Sequence, residues 1–296
     1  MAAMSAYYMQ YKNSREAAKF TTMAAYYVAK AKVQSGQSAD EWWKNTIAEF
    51  NKFKSVDPKT ATGNSPQGNM AAEADFTMVD ADIKKNFDYD TGHHRYKGTA
   101  VDVIKKYTAD AKDAEKYHAK LKHIADPATY GSIDYVAAAI ARQGSLYDSL
   151  RTGLFNTREP ALQLFTTEEE KTLKKLEESG NEDLMDKAAE FRDKRVQLWR
   201  GKRDSELASA DQIAVQRYTQ AVTVARKYNV RSSAVNRALQ RLAFFSDLLG
   251  DDKMRAYSAN VEGFSYQDGM WQKTRPGMVV EPETQVLPPP LPVMPQ

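Results

Sequence analysis

The 296-residue sequence has no cysteine. That removes disulfides, thiol nucleophiles and cysteine-based metal sites. It is compatible with an oxidising envelope compartment without requiring one. There is no run of eighteen apolar residues, so no transmembrane helix is offered. Alternating β-branched stretches between turn residues are almost absent, which argues against a β-rich fold. Charge of one sign is scarce too. The 42 Lys+Arg and 39 Asp+Glu leave a net charge of only +3, with bases interleaved among acids. No nucleic-acid surface is expected from such a mixture. There is no P-loop and no G-x-G-x-x-G. The opening stretch "MAAMSAYYMQYKNSREAAKF" lacks the charged and then apolar regions of a secretory signal. It starts inside a helical pattern, from which we expect upstream repeats and any signal to be missing from this sequence.

What the sequence does have is helical periodicity. Stripes of apolar residues predict helices over about 2–13, 15–34 and 38–57. Ser38 followed by Glu41 reads as a capping box, Trp43, Ile47, Phe50 and Phe53 as an inward stripe, and Pro58 as a stop. Only one of Trp42 and Trp43 can point fully inward. After a loop, "KTATGNSPQGN", a helix is expected over about 70–87, with Ala71, Ala74, Met78 and Ile83 inward. A second loop, "DYDTGHHRYKG", precedes a long helix over about 99–125 that ends at Asp126-Pro127. A helix rich in small residues follows from Ile133 to about Gly153, and then a non-helical connector, "LFNTREPALQLFTT". A highly charged helix over 167–204 should break near Gly180-Asn181, with Leu184, Ala188, Phe191 and Leu198 on one face. Two more helices are expected over about 205–228 and 232–249, and order should fade after Gly263. The tail "RPGMVVEPETQVLPPPLPVMPQ" reads as extended or disordered.

Paired helices with short turns suggest a right-handed α-solenoid of antiparallel pairs. The repeats are degenerate, so packing residues carry the argument. Ala214, Tyr218 and Ala221 are spaced small–aromatic–small, as in the second helix of a tetratricopeptide repeat. Phe50 and Pro58 match the aromatic and terminal proline of the same helix, while Thr46 and Phe53 depart from its two small residues. Gly144 and Tyr147 match the glycine and tyrosine of the first helix. A small residue there allows close helix approach, and the tyrosine fills the groove one turn on. On these residues the chain resembles tetratricopeptide-repeat proteins.

Between about 71 and 242 the order of elements is similar to a narrower group. It runs "AAEADF", "VIKKYTADAKDAEKYHAKLKHIADP", "AAIARQGSLYDSL", the charged 168–203 segment, and "AVQRYTQAVTVARKYNV". This order resembles envelope tetratricopeptide proteins of myxobacteria and related predatory bacteria, the group that includes adventurous-gliding motility proteins. The resemblance implies a periplasmic or outer-membrane-associated scaffold, and it brings no catalytic residues. The implied organisation is N-terminal repeat-like helices over 1–58, a helical domain over 70–263 with the charged insertion 167–204, and a tail over 264–296.

Residues with chemistry are few. Asp88, Asp90, His93 and His94 are the only concentration of metal-capable groups. Asp-x-Asp-x-Gly resembles the start of a calcium loop, but the glycine comes one position early. Thr99 stands where the bidentate glutamate is needed. No spaced partner pair follows for zinc, so a polar loop is the plainer reading. His118 and His123 lie five apart and share a helix face poorly. "GNSPQG" lacks the second glycine and the preceding strand of a nucleophile elbow. The aromatics Tyr7, Tyr8, Tyr11 and Trp42 could form a protein-recognition surface, although packing within the solenoid is the simpler use. The expected function is therefore a non-enzymatic interaction scaffold without catalytic, cofactor or metal residues. Its partners would be other proteins, envelope-assembly subunits or copies of itself. The alternative is a metal- or small-ligand-dependent enzyme using the 88–94 loop.

Overall fold

The computed structural model describes residues 1–157 and 162–271. Among them the chain is helical apart from one short parallel pairing, β1 (Gly98–Thr99) with β2 (Leu162–Gln163). The helices are α1 (Ala2–Tyr11), α2 (Ala18–Gln34), α3 (Asp40–Val56), α4 (Pro58–Thr62), α5 (Pro66–Asn86), α6 (Ala100–Ala125), α7 (Pro127–Tyr130), α8 (Ile133–Phe155), α9 (Thr167–Glu177), α10 (Glu182–Tyr228) and α11 (Ser233–Ser258).

Local chemistry sets most of these ends. Asp57 and Asp126 each precede a proline and accept a backbone hydrogen bond, from Thr60 and Ala128. Each therefore closes one helix and caps a short second one. Full capping boxes start α6 (Thr99 with Asp102) and α9 (Thr166 with Glu169). The box expected at Ser38 and Glu41 does not form. The first helical carbonyl is that of Ala39, which accepts from Trp43 N at 2.9 Å. The helix thus begins one residue late and Glu41 falls a position short of the one a box needs. Ser65, in the "GNSPQG" stretch, is a buried N-cap. Its Oγ accepts from Gly68 N at 2.9 Å and donates to the Ala61 carbonyl at 2.7 Å.

Three boundaries differ from expectation. The break at Gly180, with φ +69°, separates α9 from α10 as anticipated. No break follows at 204–205: α10 is one helix of 47 residues, about 70 Å long. Gly201 sits within it, where an isolated glycine costs about 1 kcal/mol without ending a helix. The charged insertion is therefore not a separate unit, because its second half is the front of the helix that carries Ala214, Tyr218 and Ala221. In α11 the chain kinks at Gly250 (φ 74°, ψ 166°) and continues to Ser258. Packing also persists past Gly263. Trp271 is fully buried and its ring stacks on Phe264 at 5.8 Å, while Tyr266 Oη donates to Asp251 at 2.6 Å. A tail starting at residue 264 is thus too early. The remaining proline-rich stretch, with Val279, Val280, Leu287, Leu291 and Val293, lies outside the described residues.

The long helices pack in chain order: α1 on α2, α2 on α3, α3 on α5, α5 on α6, α6 on α8, α8 on α10, and α10 on α11. Helix α8 also meets α5 and α11, so it is covered nearly all round. That explains its run of small residues: Ala137, Ala138, Ala139 and Ala141 let neighbouring helices come close on several sides. At Gly144 a Cβ would lie 2.9 Å from the Tyr218 ring and 3.3 Å from the Ala214 carbonyl. Here the two helices touch backbone to ring. Gly144→Leu should cost about 1–3 kcal/mol by overpacking, read as a lowered urea midpoint.

Candidate functional site

Four exposed large apolar side chains, Val101, Met185, Phe191 and Leu198, lie on the α9–α10 hairpin or beside its root. The hairpin itself is held by charge. Arg192 bridges Glu170 (2.9 Å) and Glu177 (2.6 Å), and Arg195 pairs with Glu169 (2.9 Å). The guanidinium groups of Arg192 and Arg195 lie over the Phe165 ring. Of the four residues expected on one inward face, only Ala188 is buried and Leu184 is half-buried; Phe191 and Leu198 are exposed. For Leu198 the cause is length: helix α9 has 11 residues, about 16 Å, and Leu198 lies about 24 Å along α10. Phe191 lies within the span of α9, and its ring meets Phe165 at 6.1 Å.

Beyond the end of α9, α10 crosses the start of α6 and leaves a groove of about 560 Å³. Its floor is Ala100, Ile104, Leu164 and the buried Trp199. Its lips are Val101 and Leu198, which are 74% and 65% exposed, and Lys105, Arg195 and Lys202 stand at its edge. Two large aliphatic side chains left in water beside an apolar trough are what a binding surface for a partner looks like.

The N-terminal aromatics are divided differently from the expected patch. Tyr8 is buried, packed edge-on against the half-buried Trp42 at 5.2 Å. Tyr7 pairs with the exposed Tyr11 at 4.7 Å. An adhesive face of Tyr7, Tyr8 and Tyr11 therefore does not exist as such, because Tyr8 belongs to the contact of α1 with α2 and α3. Trp43 is the inward member of its pair. Of the repeat positions, Phe50 is fully buried and meets Tyr130 at 5.4 Å, while Pro58 is exposed and begins α4. Ala214, Tyr218 and Ala221 are buried against α8 and α11. Tyr218 Oη donates to Asp148 (3.1 Å), which also holds Arg241 through two bonds of 2.6 and 2.7 Å.

Tyr147 reaches a polar cleft of about 730 Å³ between α6, α8 and α10. Glu115, His118, Lys122, Gln143 and Arg217 share its walls. Gln143 donates to the His118 carbonyl at 3.1 Å, and Tyr147 Oη lies 3.3 Å from His118 Nδ1. The buried Nε of Arg217 has no hydrogen-bond partner. Burial, then the nearby Arg217 and Lys122 charges, push the His118 pKa down to about 4. Its ordinary value is 6.5, so below that pH the unfolded chain binds a proton the folded chain refuses. Stability contributed by the neutral ring is complete above about 6.5 and is lost as pH falls towards about 4. Asp75 and Asp211, whose carboxyl pKa values burial raises, act in the opposite sense. The readout is therefore the difference: His118→Gln should flatten the acid slope of the melting temperature over that window. Identical slopes would show that His118 is not held neutral.

The second loop is an ordered clasp. Its 3₁₀ turn (Tyr89–Thr91) follows Phe87, which is fully buried. Arg142 of α8 binds Asp80 at 2.6 Å and Asp88 at 2.9 Å, Ser149 accepts from Tyr89 N at 2.8 Å, and Lys106 donates to the His93 carbonyl at 2.6 Å. His94 is fully buried with Nδ1 3.0 Å from Asp110 Oδ2, and Tyr96 Oη donates to the same oxygen at 3.0 Å. His93 Nε2 lies 3.2 Å from Asp110 Oδ1. Asp88 and Asp90 stand outside this group: one pairs with Arg142, the other is exposed. The third ligand-type residue, Asp110, sits on α6 sixteen residues beyond His94 and carried no sequence signal of its own. His123 is exposed at the far end of α6, with its ring near Tyr130.

No protein family, curated protein or solved structure matches the chain. No helix among the described residues is long and apolar enough to cross a membrane.

Proposed function

We propose that the protein is a non-enzymatic interaction scaffold that grips another protein in the groove between α6 and α10. The observation that carries this reading is the pair Val101 and Leu198, left in solvent on either side of an apolar floor. Leaving such side chains exposed gains nothing for the monomer, and covering them on binding is worth about 25 cal/mol per Å². Arg195 and Lys202 at the groove's edge are already paired with Glu169 (2.9 Å) and Glu206 (2.7 Å), so the groove favours a segment with apolar side chains rather than one chosen by charge. A solenoid architecture belongs to the same proposal, supported by helices that pack in chain order and by the tetratricopeptide-like spacing of Ala214, Tyr218 and Ala221. Assignment to a periplasmic or outer-membrane assembly, including one for gliding motility, rests on the resemblance in element order alone.

A photo-crosslinking residue placed at Leu198 in living cells tests the surface. It should capture a discrete protein, and the product should vanish when Val101→Glu is added. A crosslinker at the exposed Asn51 of α3 serves as control. Equal capture from the two positions would remove the groove as the binding site.

A further inference from the structure

We propose that His93, His94 and Asp110 form a site for a borderline transition-metal ion of the zinc class, which pins the 87–98 loop onto α6. This inference is independent of the groove reading.

Three observations carry it. The first is convergence. One ligand-type atom from each of His93, His94 and Asp110 lies within 4.8 Å of the others; His93 Nε2 is 3.2 Å from Asp110 Oδ1 and His94 Nδ1 is 3.0 Å from Oδ2. Ligands about 2.0–2.1 Å from a tetrahedral ion are separated by roughly 3.3 Å, so the side chains are already near the spacing an ion imposes. The second is an unmet bond. His93 Nε2 is 3.2 Å from Asp110 Oδ1, yet it makes no hydrogen bond with that oxygen. The atom is buried with no hydrogen-bond partner. An ion between the two would use that nitrogen's lone pair. The third is charge. Asp110 is buried, and among the described residues no lysine or arginine lies within ion-pair distance of it. Tyr96 and His94 meet its Oδ2, each at 3.0 Å, and a divalent ion would add the full positive charge that a buried carboxylate favours.

The surroundings hold these side chains in place by packing and by ties on the loop. Phe87 packs against both imidazoles, at 5.7 and 4.5 Å. Lys106, Ser149 and Arg142 tie the loop backbone and Asp88 to α6 and α8. The ligand chemistry chooses the ion class. Two imidazoles and one carboxylate suit zinc and its neighbours, whereas calcium takes six or more oxygens, so the Asp-x-Asp-x-Gly likeness plays no part.

The test is a Zn²⁺ titration of chelator-treated, full-length protein against a chromophoric chelator, with the thermal midpoint followed alongside. One zinc per chain and a raised midpoint are expected. His93→Ala removes a partly exposed ring, so the metal-free midpoint should hold while affinity drops by about 100-fold or more. Loss of a supporting partner alone costs roughly 10–100-fold. The near-isosteric Asp110→Asn gives a second reading should His93→Ala be unstable, with the same loss expected. His118→Gln with His123→Gln removes the chain's other two histidines and should leave binding intact. Absence of stoichiometric zinc overturns the proposal. So does wild-type affinity in His93→Ala or Asp110→Asn, or binding that follows His118 and His123.

Discussion

Gly153→Leu should lower stability by about 3 kcal/mol or more and free the 87–98 loop. At Gly153 a Cβ would stand 2.5 Å from both the Cβ and the carbonyl oxygen of His94, and 3.2 Å from the Tyr96 ring. The first obstacle includes backbone, which cannot step aside as a flexible side chain does. Helix α8 and the loop therefore touch main chain to main chain, and any side chain there must lift the loop. Overpacking usually costs about 1–3 kcal/mol. The upper end applies here because His94 is fully buried and held by Asp110. Equilibrium urea unfolding measures the loss, and hydrogen exchange should show the 87–98 amides deprotected before the rest. Wild-type protection in that segment would show that the clasp does not depend on close approach at Gly153.

Arg142→Ala is expected to cost roughly 3 kcal/mol, the lower end for breaking a buried ion pair from one side. Its guanidinium binds Asp80, Asp88 and Ser145 Oγ with little exposure. Burial alone would lower its pKa, but the two carboxylates outweigh that and hold the group above its ordinary value. Removing it leaves the two acids side by side where one guanidinium had joined them. Asp80 keeps Lys84 at 2.7 Å, and Asp88 does not share that relief. Adding Asp88→Asn should therefore recover part of the loss, a coupling readable in a double-mutant cycle. Additive effects from the two changes would mean that Arg142 acts by packing alone.

Much of the helical frame was legible because its signals are local. Asp57-Pro58 and Asp126-Pro127 fix two helix ends through caps and missing donors, and Gly180 marks a turn through its positive φ. The small residues of α8 announced close packing, and the contact of Gly144 with Tyr218 is what that composition is for. Less legible were features decided by distant partners. Leu198 has the spacing of a buried stripe, but whether that end of the stripe is covered depends on the length of α9, not on the stripe itself. Tyr8 and Tyr11 look alike in sequence; one meets Trp42 and the other meets water. The histidine pair stood out at once. Asp110 did not, because one aspartate on a long charged helix is indistinguishable from its solvated neighbours until α6 is laid beside the loop. Continuity at 204–205 was missed for a related reason: a charged stretch reads as a boundary by composition, while the helix runs through it unbroken.

The central claim is that the α6–α10 groove is where this protein holds its partner. The most direct measurement is the affinity of the purified crosslinked partner for wild-type protein and for Leu198→Asp, both shown to be equally helical. A carboxylate at this lip removes an aliphatic contact and sets a polar, hydrated group against the apolar segment we infer. The account predicts a loss of about 100-fold or more, equivalent to roughly 3 kcal/mol. An unchanged affinity would contradict it.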